Sequence, residues 1–245
     1  MLNSKMMVMG YSHRLQNANV PGCRAQFNVF CVQELKGLNE VTTWRRKWQT
    51  GINGVTYPTH SLGPVLQWMK ERVVSLVCAG TGHHYQDPRG DYYEAEDGCL
   101  MLCRMSGGGL VKIRVDMISD RPHNMTYYSL QGTDGVYESD TKFNDEPKIW
   151  LRELHGDSPE WHCLWELEEE FMPDIWKNPP EAALKAGHGG GDYFEIMDFV
   201  EAIANGTPPP VDIHAAMDMT MPGLISQQSV LEDGAWLDVP DTREW

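Results

Sequence analysis

Long apolar runs are missing from this 245-residue sequence. No stretch approaches the roughly 20 apolar residues that cross a bilayer as a helix. The opening segment MLNSKMMVMGYSH also lacks the basic region, apolar core and small-residue cleavage site of a signal peptide. We therefore expect no membrane partner and a cytoplasmic location.

Basic residues are scarce, since 20 Lys and Arg stand against 35 Asp and Glu, a formal net charge of −15 at pH 7. An acidic surface repels phosphate backbones, which argues against nucleic acid as a partner. With 41% apolar and 22% charged residues, the composition is otherwise that of a globular protein large enough to bury a core.

Paired cysteine motifs are absent as well. The six cysteines, at positions 23, 31, 78, 99, 103 and 163, form no CxxC pair and no zinc-type spacing with histidine. In GCLMLCRM, strand alternation places Cys99 and Cys103 on one face as small apolar residues. We expect reduced thiols throughout and no bound metal.

The common catalytic fingerprints do not occur: the sequence has no GxSxG, no HExxH and no P-loop. In GTGHHYQD, Tyr85 stands where a dinucleotide-binding loop needs its third glycine. The glycines of AGHGGGDYF follow no predicted strand. The sequence therefore shows no dinucleotide fingerprint and no Rossmann domain.

What the chain does contain is a series of short strands followed by helices. RVVSLVCAG, CLMLCRM, LVKIRVDMI and two strands around the turn of MTYYSLQGTDGVYES succeed one another through short connections, which predicts an antiparallel meander. Helices are predicted at SLGPVLQWM, at DYFEIMDFVEAIAN before Gly206, and at IHAAMDMTMPGLISQQSVL after the cap Asp212. The predicted fold class is α+β, a large open and mostly antiparallel β-sheet with helices packed on one face, forming a single domain over residues 1–245.

Two local predictions concern charge and proline. Lys112 and Arg114 lie on a strand that we place at the edge of the sheet, and these cations on an acidic chain predict that the sheet face packs against another subunit, in a homo-oligomer. Pro64 is predicted in the first turn of its helix, where its missing N–H costs nothing.

The segment Tyr57-Pro58-Thr59-His60 is the first candidate for chemistry. Pro58 keeps Tyr57 out of helical geometry, and the helix is predicted to begin near His60 with Thr59 or Ser61 as its cap. A helix N-terminus disfavours imidazolium, so a neutral His60 beside the Tyr57 phenol would form a proton-transfer pair. The alternative is a histidine of the capping region whose ring is satisfied by the backbone.

Further candidates are scattered along the chain. Tyr11 and His13 share one face of the opening strand, where they either support the sheet or line a cleft. Arg45, in the run WRR, offers a guanidinium to hydroxyl or carboxyl groups. His188 precedes three glycines and Asp192, which either caps the next helix or leaves a Gly-rich turn open to a polar ligand.

Taken together, several of these segments resemble a known family. YSH in the opening strand, WRR, YPTHSLGPVLQWM, RPHNMTYYSLQGTDGVYE, AGHGGGDYFEIMDFVEAIANGTPPPVD and SQQSVLEDGAWLDVP are similar to the C-terminal domain of the Gfo/Idh/MocA oxidoreductases, nearly from end to end. Within that family, YPTH resembles the NAD-dependent glycosidases of family 109, the α-N-acetylgalactosaminidase group. Thr56 and Pro58 replace the Asp and Gly of the usual family pattern D-x-G-x-H.

The resemblance implies the substrate-binding and oligomerisation domain of an enzyme that uses NAD or NADP and acts on a sugar or sugar derivative. It makes His60 the group that transfers a proton at the sugar, with Tyr57 beside it. It places Tyr11, His13 and Arg45 in the sugar pocket, with Tyr127 and His188 as further substrate-binding residues. Whether this chain alone is an enzyme stays open, because no nucleotide-binding domain is visible.

Two other interpretations compete with the enzyme domain. One is a standalone carbohydrate-binding or assembly module without chemistry. The other is a metal hydrolase that would use His60, His83 and His188, although the adjacent His83 and His84 face opposite ways if they lie on a strand.

Overall fold

A computed structural model of the protein describes residues 26–32, 35–120, 124–141 and 145–245. Its strands are β1 (Gln26–Val32), β2 (Val73–Gly80), β3 (Gly98–Met105), β4 (Leu110–Asp116), β5 (Asn124–Gln131), β6 (Gly135–Glu138), β7 (Lys148–Leu151), β8 (His162–Cys163) and β9 (Leu237–Asp238). The opening strand that the sequence predicts, with Tyr11 and His13, lies outside the described residues.

The helices of the described residues fall into two groups. Before β2 stand α1 (Lys36–Val41), α2 (Thr43–Trp48) and α3 (Thr59–Met69). After β7 come four short helices and then two long ones: α4 (Arg152–His155), α5 (Glu168–Phe171), α6 (Asp174–Lys177), α7 (Glu181–Leu184), α8 (Gly191–Asn205) and α9 (Ile213–Leu231). The sequence patterns predict no regular element between the opening strand and Thr50, but the described residues of this segment hold β1, α1 and α2. Among the described residues, no helix is long and apolar enough to cross a membrane.

The strands form one sheet in the order β8-β7-β6-β5-β1-β4-β3-β2-β9, as far as the chain is described. Among these nine described strands, only β1 and β4 pair in parallel, and the other neighbours are antiparallel. The hairpins β3–β4 and β5–β6 are the ones that the turn signals predict. The α+β class with a mostly antiparallel sheet is confirmed.

The core lies between one face of this sheet and the helices. Alternate residues of β2, β3 and β4, such as Leu76, Met101 and Ile113, are wholly buried against α3 and α9. Cys99 and Cys103 belong to this buried face, as strand alternation predicts. The helices therefore pack on one face and leave the other open.

The edge position predicted for Lys112 and Arg114 is wrong. Both residues are exposed on β4, which pairs with β1 on one side and β3 on the other. The strand is interior because β1, from a distant part of the sequence, pairs with it in parallel. Consecutive hairpins in the sequence give no sign of this partner. Lys112 and Arg114 thus mark the open face of the sheet and not its edge.

Helix α8 forms where its period predicts and ends at Gly206, whose φ of 63° suits glycine. Only part of the apolar stripe that the spacing predicts is covered, however. Phe194 and Met197 are half-buried, but Phe199, Val200 and Ile203 expose between 47% and 67% of their surface. Helical periodicity identifies the helix, but tertiary packing decides which side of it is covered.

Candidate active site at the start of helix α3

The two residues predicted to carry chemistry lie next to each other at the start of α3. The Tyr57 hydroxyl and Nε2 of His60 are 2.9 Å apart, and the two rings meet edge to face with centroids 4.8 Å apart. Both side chains are half-buried. The direction of this hydrogen bond depends on the imidazole tautomer. The contact allows a proton to pass between the phenol and the imidazole.

Helix α9 holds the segment that leads to this pair. Oγ of Ser226 accepts a hydrogen bond from the main-chain N–H of Val55 at 2.8 Å, and both residues are completely buried. A Cβ at Gly223 would lie 2.7 Å from the Val55 carbonyl oxygen and 2.9 Å from Cδ of Pro58. The absence of a side chain at Gly223 thus lets α9 approach the backbone just before His60.

Neither Thr59 nor Ser61 caps α3, contrary to the prediction from the sequence. Pro58 occupies the N-cap position and no side chain caps the helix, while Oγ of Ser61 donates to the Pro58 carbonyl oxygen at 3.1 Å. The prediction was wrong because proline, with its fixed φ, supplies the entry into the helix by itself. No acidic side chain lies in the first turn.

Pro64 does not lie in the first turn of α3, as the sequence suggests, but is the sixth residue of the helix. In a regular helix the N–H of residue 64 would donate to the carbonyl oxygen of His60, and proline has no N–H. That carbonyl oxygen accepts instead from the hydroxyl of Tyr128 on β5, at 2.5 Å. Tyr128 is only 2% exposed and meets the Trp68 ring of α3 edge to face.

Tyr127, the tyrosine predicted to bind substrate, is not brought to the pair. Tyr128 faces α3, so Tyr127, its neighbour on the strand, faces the open side of the sheet. Burial raises the pKa of the Tyr127 phenol, and the nearby Glu138 carboxylate raises it further. A substrate role for Tyr127 would belong to a different surface.

Arg45 lies on α2, which is joined to the segment before Tyr57. Its guanidinium donates to Oγ1 of Thr42 at 2.5 Å and stacks over the Trp44 ring at 4.5 Å. Just after α2, the Gln49 carbonyl oxygen accepts from the Thr56 hydroxyl at 3.2 Å. Arg45 is half-buried. It belongs to the helix whose end contacts the residue before Tyr57.

His188 stands just before α8, and Nδ1 of His188 lies 2.6 Å from the Asp192 carboxylate. Asp192 lies in the first turn and does not cap the helix, whose N-cap is Gly190 with a φ of 101°. The cap prediction is wrong because the glycines turn the chain back, so that this carboxylate meets the imidazole. Both side chains are largely exposed.

The metal-hydrolase alternative requires clustered ligands. Within the described ranges, no group of three or more His, Cys, Asp or Glu side chains is placed to hold a metal ion. His83 and His84 lie beyond the end of β2, in a loop and not on a strand. Nδ1 of His84 lies 2.6 Å from the buried Asp97 carboxylate.

Two residues important to this site were not singled out by the sequence. The family resemblance points to Tyr127 and not to its neighbour Tyr128, and in the sequence Ser226 is one residue of a long predicted helix. Strand alternation identifies Tyr128 once the buried face of β5 is known, and Pro64 indicates that the His60 carbonyl needs another donor. No sequence signal identifies Ser226, because its contact is 171 positions away.

The fold is shared with dehydrogenases whose structures have been solved. A levoglucosan dehydrogenase in complex with NADH superposes with a TM-score of 0.70 at 17% identity, over 97% of this chain and 64% of that chain. An inositol dehydrogenase homologue complexed with NAD⁺, from Azotobacter vinelandii, gives a TM-score of 0.64 at 16% identity, over 95% of this chain and 62% of that one. At such identities the likeness establishes the fold.

The family follows from the sequence comparisons. The family model for the C-terminal domain of glycosyl hydrolase 109 matches residues 4–244. A glycosyl hydrolase family 109 protein of Saccharopolyspora erythraea is 31% identical over 215 residues, 81% of this chain and 44% of that protein. An α-N-acetylgalactosaminidase of Tannerella forsythia is 26% identical, with the same coverage. The chain belongs to glycosyl hydrolase family 109, which confirms the resemblance, and spans less than half the length of these relatives.

Proposed function

We propose that this chain is the sugar-binding domain of an NAD(P)-dependent oxidoreductase or glycosidase-like enzyme, and that His60 transfers a proton at the bound sugar. The hydrogen bond between the Tyr57 hydroxyl and Nε2 of His60 carries the proposal. In its neutral form His60 would accept a proton from a sugar hydroxyl or carbon, and Tyr57 would orient the ring and relay the proton. Arg45, which the family resemblance places in the sugar pocket, would donate hydrogen bonds to sugar hydroxyls.

The nature of the relatives supports a sugar as substrate. One relative is named an α-N-acetylgalactosaminidase, and a levoglucosan dehydrogenase of the same fold has been solved with NADH and levoglucosan. N-acetylgalactosamine is therefore the first sugar to test. The half-buried, polar pair at the start of α3 suits a ligand rich in hydroxyl groups.

The Gly-rich turn before α8 does not suit a dinucleotide. At Gly189–Gly191 it is followed by the Asp192 carboxylate in the first turn of the helix, where this charge would repel a pyrophosphate. We therefore assign no step to NAD or NADP in this chain. The cofactor belongs to the proposal only for the whole enzyme, in which other residues would bind it.

The open face of the sheet is proposed as the surface that forms a homo-oligomer. Leu100 is 48% exposed there and lies opposite Arg114 of β4, and Arg104 and Lys112 are exposed on the same face. Such a mixture of apolar and Arg side chains is typical of interfaces. Light scattering tests this proposal: an oligomer that Leu100→Glu converts to a monomer supports it, and a monomeric wild-type chain contradicts it.

Calorimetric titration with N-acetylgalactosamine, with and without NADH, tests the function. We expect the wild-type chain to bind the sugar and His60→Ala or Tyr57→Phe to bind about fivefold more weakly, because each loses a polar contact worth about 1 kcal/mol. Thr59→Ala is the matched control, since Thr59 is exposed in the same turn. It should leave the affinity unchanged.

The outcomes separate the candidate functions. No sugar binding by the wild-type chain, or equal affinity for His60→Ala, would contradict the proposed site. Sugar binding that depends on His60, together with no turnover in an activity assay of the whole enzyme, would favour a carbohydrate-binding module without chemistry.

A further inference from the structure

We propose that Tyr128 is a positioning residue for His60: its hydroxyl replaces the helix hydrogen bond that Pro64 cannot donate, and so fixes the imidazole against Tyr57. The role of the Tyr57–His60 pair rests on the proposed function. The positioning itself depends only on the geometry of α3 and β5.

The first step is the gap that Pro64 leaves in α3. Within an α-helix each carbonyl oxygen accepts from the N–H four residues later. For His60 that residue is Pro64, which has no N–H and whose ring tends to push the helix away from its preceding carbonyl. The His60 carbonyl oxygen therefore lacks the donor that a regular helix would give it.

The second step is the donor that fills the gap. The hydroxyl of Tyr128 lies 2.5 Å from the His60 carbonyl oxygen, short for an O–H···O hydrogen bond. Tyr128 is 2% exposed, and its ring packs edge to face on Trp68, with centroids 5.1 Å apart. Its strand β5 lies within the sheet, between β1 and β6. The Tyr128 side chain is thus held by the Trp68 ring, and its backbone by the neighbouring strands β1 and β6.

The third step connects the backbone to the chemistry. An imidazole is carried by its own Cα, so a shift of the His60 backbone moves Nε2 relative to the Tyr57 hydroxyl, which is 2.9 Å away. Tyr57 precedes the helix and is held from the other side, through the contact of Val55 with Ser226. Two separate supports therefore meet at this one hydrogen bond. Tyr128 controls the His60 side of it.

The experiment reads the imidazole of His60 directly, without sugar or nucleotide. The chain is labelled with ¹⁵N-histidine, and His60→Gln identifies the His60 signals among the nine histidines. Tyr57→Phe then shows how the Nε2 signal moves when its hydrogen bond is lost. We expect Tyr128→Phe, which keeps the ring and removes only the hydroxyl, to move the Nε2 signal in the same direction.

Rescue separates positioning from general stability. Pro64→Ala restores an N–H that can donate to the His60 carbonyl oxygen, so the double variant Pro64→Ala/Tyr128→Phe should return the Nε2 signal to its wild-type position. Tyr137→Phe is the matched control, because Tyr137 is a buried tyrosine on the neighbouring strand β6. It should lower the melting temperature and leave the His60 signal in place.

Three results would overturn the inference. The first is an unchanged His60 signal in a folded Tyr128→Phe variant. The second is the same shift in Tyr137→Phe as in Tyr128→Phe. The third is a double variant that is unfolded or that keeps the altered signal, because the tyrosine would then support the fold and not this carbonyl. Because the readout needs no ligand, a failure of sugar binding would leave the inference standing.

Discussion

Ser226 on α9 accepts a hydrogen bond from the main-chain N–H of Val55 at 2.8 Å, and neither residue has any exposed surface. Three positions further along the same helix, Ser229 accepts from the N–H of Cys78 on β2, also at 2.8 Å. One helix thus fastens both the sheet and the segment that carries Tyr57. The two serines are chemically alike but hold different parts of the molecule.

This likeness allows a matched pair of substitutions. Ser226→Ala and Ser229→Ala each leave a buried N–H without its acceptor, so each should lower the free energy of unfolding by about 1–3 kcal/mol. Only Ser226→Ala should also weaken binding of N-acetylgalactosamine, because Val55 lies two residues before Tyr57. Urea unfolding gives the first quantity and calorimetry the second. Equal effects of both variants on sugar affinity would show that Ser226 has no special relation to the site.

Gly223 provides a test of close packing between α9 and the same segment. In Gly223→Ala the new Cβ would meet the Val55 carbonyl oxygen at 2.7 Å and Cδ of Pro58 at 2.9 Å, both backbone or ring atoms that cannot move alone. We expect the free energy of unfolding to fall by about 1–3 kcal/mol, the usual cost of overpacking. The measurement is the midpoint of urea unfolding.

Gly98→Ala is the control for Gly223→Ala. A Cβ at Gly98 would have its nearest neighbours, Oγ1 of Thr81 and the Val115 carbonyl oxygen, at 3.8 Å, which is ordinary van der Waals contact. Its unfolding midpoint should stay close to that of the wild-type chain. A Gly223→Ala variant as stable as Gly98→Ala would mean that α9 does not press on the segment before His60.

The buried thiol of Cys103 predicts how stability depends on alkaline pH. Burial raises the pKa of Cys103 from its usual value of 9.0 to about 12. The unfolded chain therefore releases this proton near pH 9, while the folded chain keeps it up to about pH 12. The contribution to stability is complete below pH 9 and is lost as the pH rises towards 12, by up to about 1.4 kcal/mol per pH unit.

Urea unfolding at several pH values above 9 measures this slope. Cys103→Ala lacks the titrating group, so its stability should fall less steeply with pH than that of the wild-type chain, although it starts lower because a core atom is missing. Other groups that titrate in this range are common to both chains. Parallel slopes for the two would refute the assignment.

Several features of the fold follow from short-range patterns, which is why the sequence predicts them. The turn of GTDG joins β5 to β6, Gly206 ends α8, and the Asp212 carboxylate accepts from the N–H of Ala215 at the start of α9. Each of these depends on residues within a few positions of one another. The β3–β4 hairpin, with its alternating apolar residues, belongs to the same class.

Long-range packing explains the failures. The parallel pairing of β1 with β4 joins residues more than 80 positions apart, so Lys112 and Arg114 lie inside the sheet and not at its edge. The C-terminal part of the apolar stripe of α8, Phe199 to Ile203, has the period of a buried helix face and is nevertheless exposed. Local patterns define an element but not its neighbours.

The sequence by itself determined the α+β class and the family resemblance. It also placed Tyr57 beside His60, because residues three positions apart at a helix start are neighbours whatever surrounds them. Only the tertiary structure decided that Tyr128 and not Tyr127 faces this pair, and that Ser226 holds the segment before it. The physical reason is that a strand offers two faces and a helix several, and the core that forms around them chooses which one is buried.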